Sequence, residues 1–242
     1  MPKKLEYKKT KLAVFDIDGT IFRSSLVIEL SHELVKRKIF PLIAKKEIEK
    51  EYLAWVNRQG SYEAYINKVV QIYIKYISGQ NFTRVKRIAQ DVISFQKDRV
   101  YRFTRDLIKK LKAQNYFLVA ISGSPAYIVS AYAKTTGFNL FFGTELEVKN
   151  GKFTGQILNL DSAHAKAKIV NNLAKKYHIQ LKHSLAVGDT EGDIAMLSLV
   201  GEPIAFNPNL KLAQTAEKRG WKIIVERKDV IYQIKDFMLG NQ

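Results

Sequence analysis

The chain of 242 residues contains no cysteine. That absence excludes disulfides, thiolate metal sites and cysteine nucleophiles, and it suits a reducing, cytoplasmic compartment. No uninterrupted apolar run approaches the roughly 20 residues that a membrane-spanning helix needs, so no membrane span is expected. Residues 1–10 form a lysine-rich tail without the apolar centre of a secretory signal, which again points to a cytoplasmic location. The four histidines show no metal-ligand spacing, and neither a low-complexity segment nor a repeat is present.

What is there describes a globular chain, with 46% hydrophobic and 26% charged residues, long enough for one domain or for a core carrying a smaller insert. Its formal net charge is +17. Such a charge fits an anionic partner, a phosphorylated substrate or simply a lysine-covered surface. The lysines are scattered among acids, as in Lys45-Lys46-Glu47 and Glu49-Lys50-Glu51, and no dense basic run joins a nucleic-acid motif. A solvated lysine surface is therefore the expectation, with no specific nucleic-acid partner.

One stretch organises the rest: Val14-Phe15-Asp16-Ile17-Asp18-Gly19-Thr20. A short apolar run ending in two carboxylates and a glycine reads as a buried strand entering a loop. Two carboxylates held close repel, so they call for a cation, a proton or a basic side chain, and an all-oxygen set suits Mg²⁺. Residues 21–102 then show helical periodicity, with helices over 26–38, 41–55 and 83–95 and another beginning after Ser61. In that last one Tyr62, Tyr65, Ile66, Val69, Val70, Tyr73 and Ile77 recur at three- and four-residue spacing. The stripe reads as the core of a helical bundle, with the lining of an apolar pocket as the alternative.

Strands and helices alternate afterwards. Strands are expected over 116–121, 141–148, 152–158, 185–187 and 203–206, with 221–225 as the last, and helices over 104–113, 126–136 and 194–199. A helix capped by Asp161 or Ser162 should run to about Tyr177, and Asn150-Gly151 marks a hairpin turn. The expected fold is α/β: a Rossmann-like, mainly parallel sheet core (11–20 and 103–230) with an inserted all-helical cap (21–102) and a small β-hairpin. Ligands of open parallel sheets bind at the carboxyl ends of the strands. There the loops of Asp16 and Asp18, of Ser122 and Gly123, and of Asp189 and Asp193 should converge. Four acids at one edge require a basic group, and Lys166 and Lys168 both stand near the start of the following helix.

The order Asp16-x-Asp18-Gly19-Thr20, Ser122-Gly123, a helix lysine, then Gly188-Asp189-x-x-x-Asp193 resembles the haloacid dehalogenase-like hydrolase superfamily. The helical insert directly after the first motif resembles the cap of its phosphoserine-phosphatase-like branch, and the Ala165-Lys166-Ala167-Lys168-Ile169-Val170 stretch matches best with Lys166 in the active position. The resemblance implies a Mg²⁺-dependent phosphomonoesterase acting on a small phosphorylated metabolite. Asp16 would be the nucleophile and Asp18 the general acid/base. The metal would rest on Asp16, the Asp18 carbonyl and Asp189, with Asp193 behind them. Ser122, Gly123 and Lys166, with Thr20 beside them, would hold the phosphoryl oxygens. Phosphoryl transfer asks mainly for such positioning and charge neutralisation. Ser25 stands where phosphoserine phosphatases carry a Glu that reads the amino acid, so the resemblance does not carry phosphoserine over as the substrate. Arg23 suits a second anionic group on the substrate or a solvated hinge. His164 is placed to support Lys166 from behind. Phosphotransfer from the same intermediate and simple polyanion binding are the competing readings.

Overall fold

The structure, a computed structural model, describes residues 11–159 and 163–234. The basic tail 1–10 and the expected caps Asp161 and Ser162 lie outside the described residues. Seven strands form one sheet in the order β3-β2-β1-β6-β7-β8-β9. They are β1 (Leu12–Asp16), β2 (Phe117–Pro125), β3 (Leu140–Thr144), β6 (Leu185–Gly188), β7 (Glu202–Phe206), β8 (Lys222–Arg227) and β9 (Val230–Ile234). All neighbours pair in parallel except β8 with β9. β4 (Leu146–Lys149) and β5 (Lys152–Ile157) make a separate two-stranded ribbon.

The central strand β1 is buried along its whole length, as a parallel strand covered on both faces must be. Ala13 and Phe15 pack toward one face of the sheet and Leu12 and Val14 toward the other. The side-chain alternation of a strand thus feeds two cores. Helices α5 (Arg102–Ala113), α6 (Ala126–Thr136), α7 (Ala163–Tyr177), α8 (Ile194–Leu197) and α9 (Leu210–Arg219) connect the strands. Gly137 and Gly220 end α6 and α9 in the left-handed conformation that favours glycine.

Helices α1 (Leu26–Lys36), α2 (Leu42–Val56), α3 (Tyr62–Ile77) and α4 (Phe82–Gln96) follow β1 before the chain returns to the sheet. Ser61 caps α3 by accepting from the Ala64 N–H at 3.1 Å, and Asn81 caps α4 by accepting from the Arg84 N–H at 2.9 Å. The two crossings to this block run side by side: the Arg23 N–H donates to the Arg99 carbonyl and the Tyr101 N–H to the Ile21 carbonyl, each at 2.9 Å. The β4–β5 ribbon fastens to the far end of α3. There the Gly79 N–H donates to the Phe153 carbonyl at 2.8 Å, and the Phe153 N–H to the Gln80 carbonyl at 3.0 Å. The Phe153 ring packs edge-on against Phe82 and tilted against Tyr127. Among the described residues no helix is long and apolar enough to cross a membrane.

Three expectations need correction. The apolar stretch 141–148 is two strands: Phe142 and Thr144 stay in the main sheet, and the chain leaves it at Glu145. The backbone of Glu145 bonds to Asn159 and Leu158 instead, which turns the following residues into the ribbon. The helix expected over 194–199 is the single turn α8, entered through a short 3₁₀ turn. Strand β8 is also not the last. The chain reverses at Lys228, whose φ of 53° takes the left-handed region without a glycine, and β9 returns antiparallel.

Candidate active site

Parallel register brings the motifs together. Asp16 on β1 is level with Ile121 on β2, and Phe15 is level with Val187 on β6. One residue further, Ser122 and Gly188-Asp189 therefore flank Asp16 at the carboxyl edge. One carboxylate oxygen from each of Asp16, Asp189 and Asp193 lies within 4.8 Å of the others, and all three side chains are buried. Lys166, in the first turns of α7, donates to Asp16 at 2.6 Å and to Asp193 at 2.7 Å. The neighbouring Lys168 is exposed, so packing selects between the two lysines where spacing had left both open. His164, expected behind Lys166, is also exposed.

Burial pushes the Asp16 carboxyl up to about 8, with Lys166 pulling it down and Asp193 and Asp18 pushing it up. Burial, followed by the charges of Asp16 and Asp193, pushes Asp189 well above the carboxylate range. Burial would lower Lys166, but its two carboxylate partners outweigh that and raise it. Fully ionised, the three acids would carry more negative charge than one ammonium can neutralise, and their raised affinity for protons reflects that. A hard divalent cation answers that need, and the all-oxygen donors fit Mg²⁺.

Backbone geometry leaves this cluster little slack. Gly19 has φ of 77°, and a Cβ on it would overlap the Asp189 carboxylate. A Cβ on Gly188 would overlap Asp193 in the same way. Both glycines are there because a carboxylate passes against the backbone. Asp193 is also the capping-box partner of Thr190: its Oδ2 accepts from the Asp189 N–H at 3.1 Å and the Thr190 N–H at 3.2 Å. One side chain therefore shapes the loop and anchors the lysine.

Two expected phosphate ligands make other contacts in this state. The Thr20 hydroxyl is fully buried and donates to Asp189 Oδ1 at 3.0 Å, because the Gly19 turn points it at that carboxylate. The Ser122 hydroxyl donates to Asp18 and accepts from the Ser124 N–H at 2.9 Å. The Asp18 carboxylate also accepts from the Ser124 hydroxyl at 3.0 Å and from the Leu26 N–H at 2.5 Å. Asp18 thus ties the sheet edge to the first turn of α1. Gly123 lines the cavity beside it, and its carbonyl accepts from Thr144. Arg23 lies over the ring of Tyr101, 5.4 Å from its centroid, outside the carboxylate cluster.

A cavity of about 260 Å³ sits over Asp16, Asp18 and Lys166, roofed by Tyr62, Ile66 and Val70 of α3. The aromatic stripe of α3 therefore splits: Tyr65, Val69 and Ile77 are buried in the helical block, while Tyr62, Ile66, Val70 and Tyr73 face the cavity. Ser124 is a residue of this site that sequence reasoning missed, and Tyr62 was named only within a stripe read first as bundle core. Ser124 was within reach, because it directly follows the Ser122-Gly123 pair already singled out. Nothing local distinguishes Tyr62 from the other tyrosines of its stripe.

Known proteins are similar to this chain. A phosphoserine phosphatase of Methanocaldococcus jannaschii is 26% identical over 224 residues, covering 92% of this chain and 95% of that protein. One of Archaeoglobus fulgidus is 26% identical over 211 residues, and this chain spans only 56% of its length. A solved structure described as a phospho-aspartyl intermediate analogue of phosphoserine phosphatase aligns with a TM-score of 0.64 at 26% identity, over 92% of this chain and 96% of that one. A Bordetella pertussis protein of unknown function shares the fold at a TM-score of 0.71 and 18% identity, over 89% of this chain and 98% of that one. The profile of the haloacid dehalogenase-like hydrolases matches residues 13–198, the stretch that holds every one of the converging loops, and the chain belongs to that family.

Proposed function

We propose that the protein is a Mg²⁺-dependent phosphatase that hydrolyses a phosphate monoester through an aspartyl-phosphate on Asp16. The observation that carries this reading is the buried cluster of Asp16, Asp189 and Asp193 with Lys166 against it, under a cavity at the carboxyl edge of a parallel sheet. The relatives named as phosphoserine phosphatases support the same chemistry.

An Asp16 oxygen attacks phosphorus and the bond from phosphorus to the ester oxygen breaks. Protonated Asp18 gives its proton to the departing alkoxide. A water then attacks the aspartyl-phosphate, Asp18 takes a proton from it, and inorganic phosphate leaves with the Asp16 carboxylate restored. Covalent catalysis of this kind divides one difficult displacement into two. Lys166 neutralises the phosphoryl oxygens and holds Asp16 in place. Ser122 and the Gly123 N–H receive those oxygens once substrate replaces the resting contacts of the Ser122 hydroxyl with Asp18. Thr20 acts through Asp189, whose carboxylate it orients. Mg²⁺ held by Asp16, the Asp18 carbonyl and Asp189, with Asp193 behind them, would supply Lewis-acid withdrawal of charge from the phosphoryl group. Residues 21–102 serve as a cap over a core of 11–20 and 103–230.

Asp16→Asn tests the assignment. Release of phosphate from an aryl phosphate with Mg²⁺ should fall by about 10³-fold or more, the scale seen when a covalent nucleophile is removed. A variant that retains most of its turnover would sink the nucleophile role.

A further inference from the structure

A second, much larger cavity of about 1580 Å³ opens between α1 and α2 and reaches the sheet edge at Gly19 and Asp189. It shares Ser25, Tyr62 and Asp189 with the cavity over Asp16, so the two meet at the catalytic edge. Its size exceeds the roughly 300–1,000 Å³ of ordinary small-molecule sites and far exceeds the needs of a small polar alcohol.

The walls are apolar and aromatic. Ile28 and Val35 come from α1, Phe40 from the turn after it, and Tyr52 and Trp55 from α2. Leu42, Lys45, Glu49 and Tyr52 recur at helical spacing on the side of α2 that lines the cavity. Leu42 and Tyr52 remain 73% and 44% exposed, a costly way to present large apolar side chains to water unless something covers them. The aromatic wall is held rigid from behind: Trp55 stacks on Tyr65 at 5.7 Å between ring centroids, and Tyr52 meets Tyr65 edge-on at 5.8 Å.

Three ion pairs engage charges of the groove, while Arg23 lies over Tyr101 and Lys38 also lines it. Lys45 pairs with Glu49 at 3.3 Å, Arg99 with Glu29 at 2.9 Å, and Lys36 with Glu33 at 3.7 Å. Where the two cavities meet, Ser25 offers a small neutral side chain. The groove therefore has an acidic, metal-suited end against the sheet and a long apolar remainder. A ligand that matches has the same polarity.

Resting on the phosphatase reading above, the geometry points to a phosphate monoester of a long aliphatic alcohol, with its phosphate at Asp16 and its chain along the α1–α2 groove. Discrimination among alcohols then comes from buried methylene groups rather than from a polar head. Burial of apolar surface predicts that kcat/KM rises about two- to fourfold per added methylene until the groove is filled.

The test measures Mg²⁺-dependent phosphate release from ethyl, butyl, hexyl, octyl and decyl phosphate, each below its critical micelle concentration, with p-nitrophenyl phosphate beside them. A steep rise with chain length supports the proposal, as does a decyl-to-ethyl ratio that falls about tenfold or more in Leu42→Glu and Tyr52→Ser. A second readout needs no turnover: decylphosphonate should shift the emission of Trp55 to the blue in a Trp221→Phe protein. Trp221 packs on the opposite core and is removed so that Trp55 reports alone. Adding the decyl ester in phosphatidylcholine vesicles separates the sources. Faster release than from the free ester marks a membrane-held substrate, slower release marks a free one, and both keep the chain in the groove.

A flat series with p-nitrophenyl phosphate still hydrolysed overturns the aliphatic chain and leaves the phosphatase standing. No turnover of any ester, with the Trp55 shift intact, overturns the phosphatase and leaves the groove's ligand class standing. Loss of both signals overturns both. Self-association that Leu42→Glu abolishes, with a flat series, gives the groove to a second copy of the chain and overturns the proposal.

Discussion

The sheet edge and the helical block above it solve opposite problems. At the edge, five polar side chains converge from three segments, the end of β1, the loop after β6 and the start of α7, and every one is fixed by a bond to another: Thr20 to Asp189, Lys166 to Asp16 and Asp193, Asp193 to the backbone of Asp189. Little can move there without exposing a buried charge. In the block, α2 rests on α3 through aromatic rings, and its outer residues Leu42, Ile43, Leu53 and Val56 remain exposed. Its shape is set by apolar packing, which tolerates exchange of side chains more readily than a hydrogen-bonded cluster does. The comparison teaches that the hydrogen-bonded cluster is held rigidly while the apolar block tolerates exchange, so on the phosphatase reading proposed above chemistry belongs to the first and choice of substrate to the second.

The sharpest way to break that contrast is inside α7. Lys166→Ala leaves Asp16 and Asp193 without their shared cation, so turnover should fall by about 10²–10³-fold, the scale for losing a preorganised charge-stabilising group. Exposed Lys168→Ala, two residues on, should change turnover by less than about twofold. Equal effects in steady-state assays would show that the helix, and not the lysine, is what matters.

Phe153 joins the two regions, since it sits on the ribbon yet packs on Phe82 of the block and Tyr127 of the core. It is 2% exposed, and Phe153→Ala should cost about 3–5 kcal/mol in chemical denaturation. If the block unfolds separately, the transition should split in two, with loss of the far-ultraviolet helix signal preceding loss of the sheet.

These two regions were unequally legible. Asp16, Asp189 and Asp193 could be placed because few side chains hold a divalent cation and a parallel sheet gathers its loops at one edge. Lys166 needed either a resemblance or the fold, since spacing offered Lys168 equally. The Thr20 hydroxyl was expected at the phosphate, and only the turn at Gly19 shows that it aims at Asp189. Strand β9 was missed because its turn uses Lys228 where a glycine would have announced it. The division of 141–148 was hidden because both halves are apolar, and only pairing with different partners separates them. The groove was legible only as the alternative reading of the aromatic stripe, whose Tyr62 and Tyr65 do line it. It depends on α1 and α2 standing apart, and helical periodicity reports which face is apolar but not what that face meets.

Protons and Mg²⁺ should compete at the rigid edge. In the folded protein the Asp16 carboxyl holds its proton up to about pH 8, against 3.8 for the unperturbed group, and Asp189 is raised in the same direction. Between those pH values the folded state binds more protons than the unfolded one, so stability falls as pH rises through the window. With chelator present, the melting temperature should therefore be highest on the acidic side and lowest above pH 8. Mg²⁺ displaces the same protons, so its stabilising shift should grow from pH 6 to pH 8. A shift independent of pH in differential scanning fluorimetry would mean that the ion rests elsewhere.

The smallest effect is the most discriminating. Thr20→Val keeps the side-chain volume and removes one hydroxyl, which lies 3.0 Å from Asp189 and is fully buried. Its backbone carbonyl would still accept from the Thr104 hydroxyl at 2.9 Å, so the turn should persist. A partner that orients a metal-holding carboxylate is worth about 10- to 100-fold in metal affinity. The half-saturating Mg²⁺ concentration should rise by that factor, while the substrate KM measured at saturating Mg²⁺ stays close to its original value. If Thr20 instead contacts the phosphoryl group during turnover, the pattern inverts: KM rises and the Mg²⁺ requirement is unchanged. Titrating Mg²⁺ and an aryl phosphate independently separates the two, because a hydroxyl has one proton to donate and the two roles direct it to different oxygens.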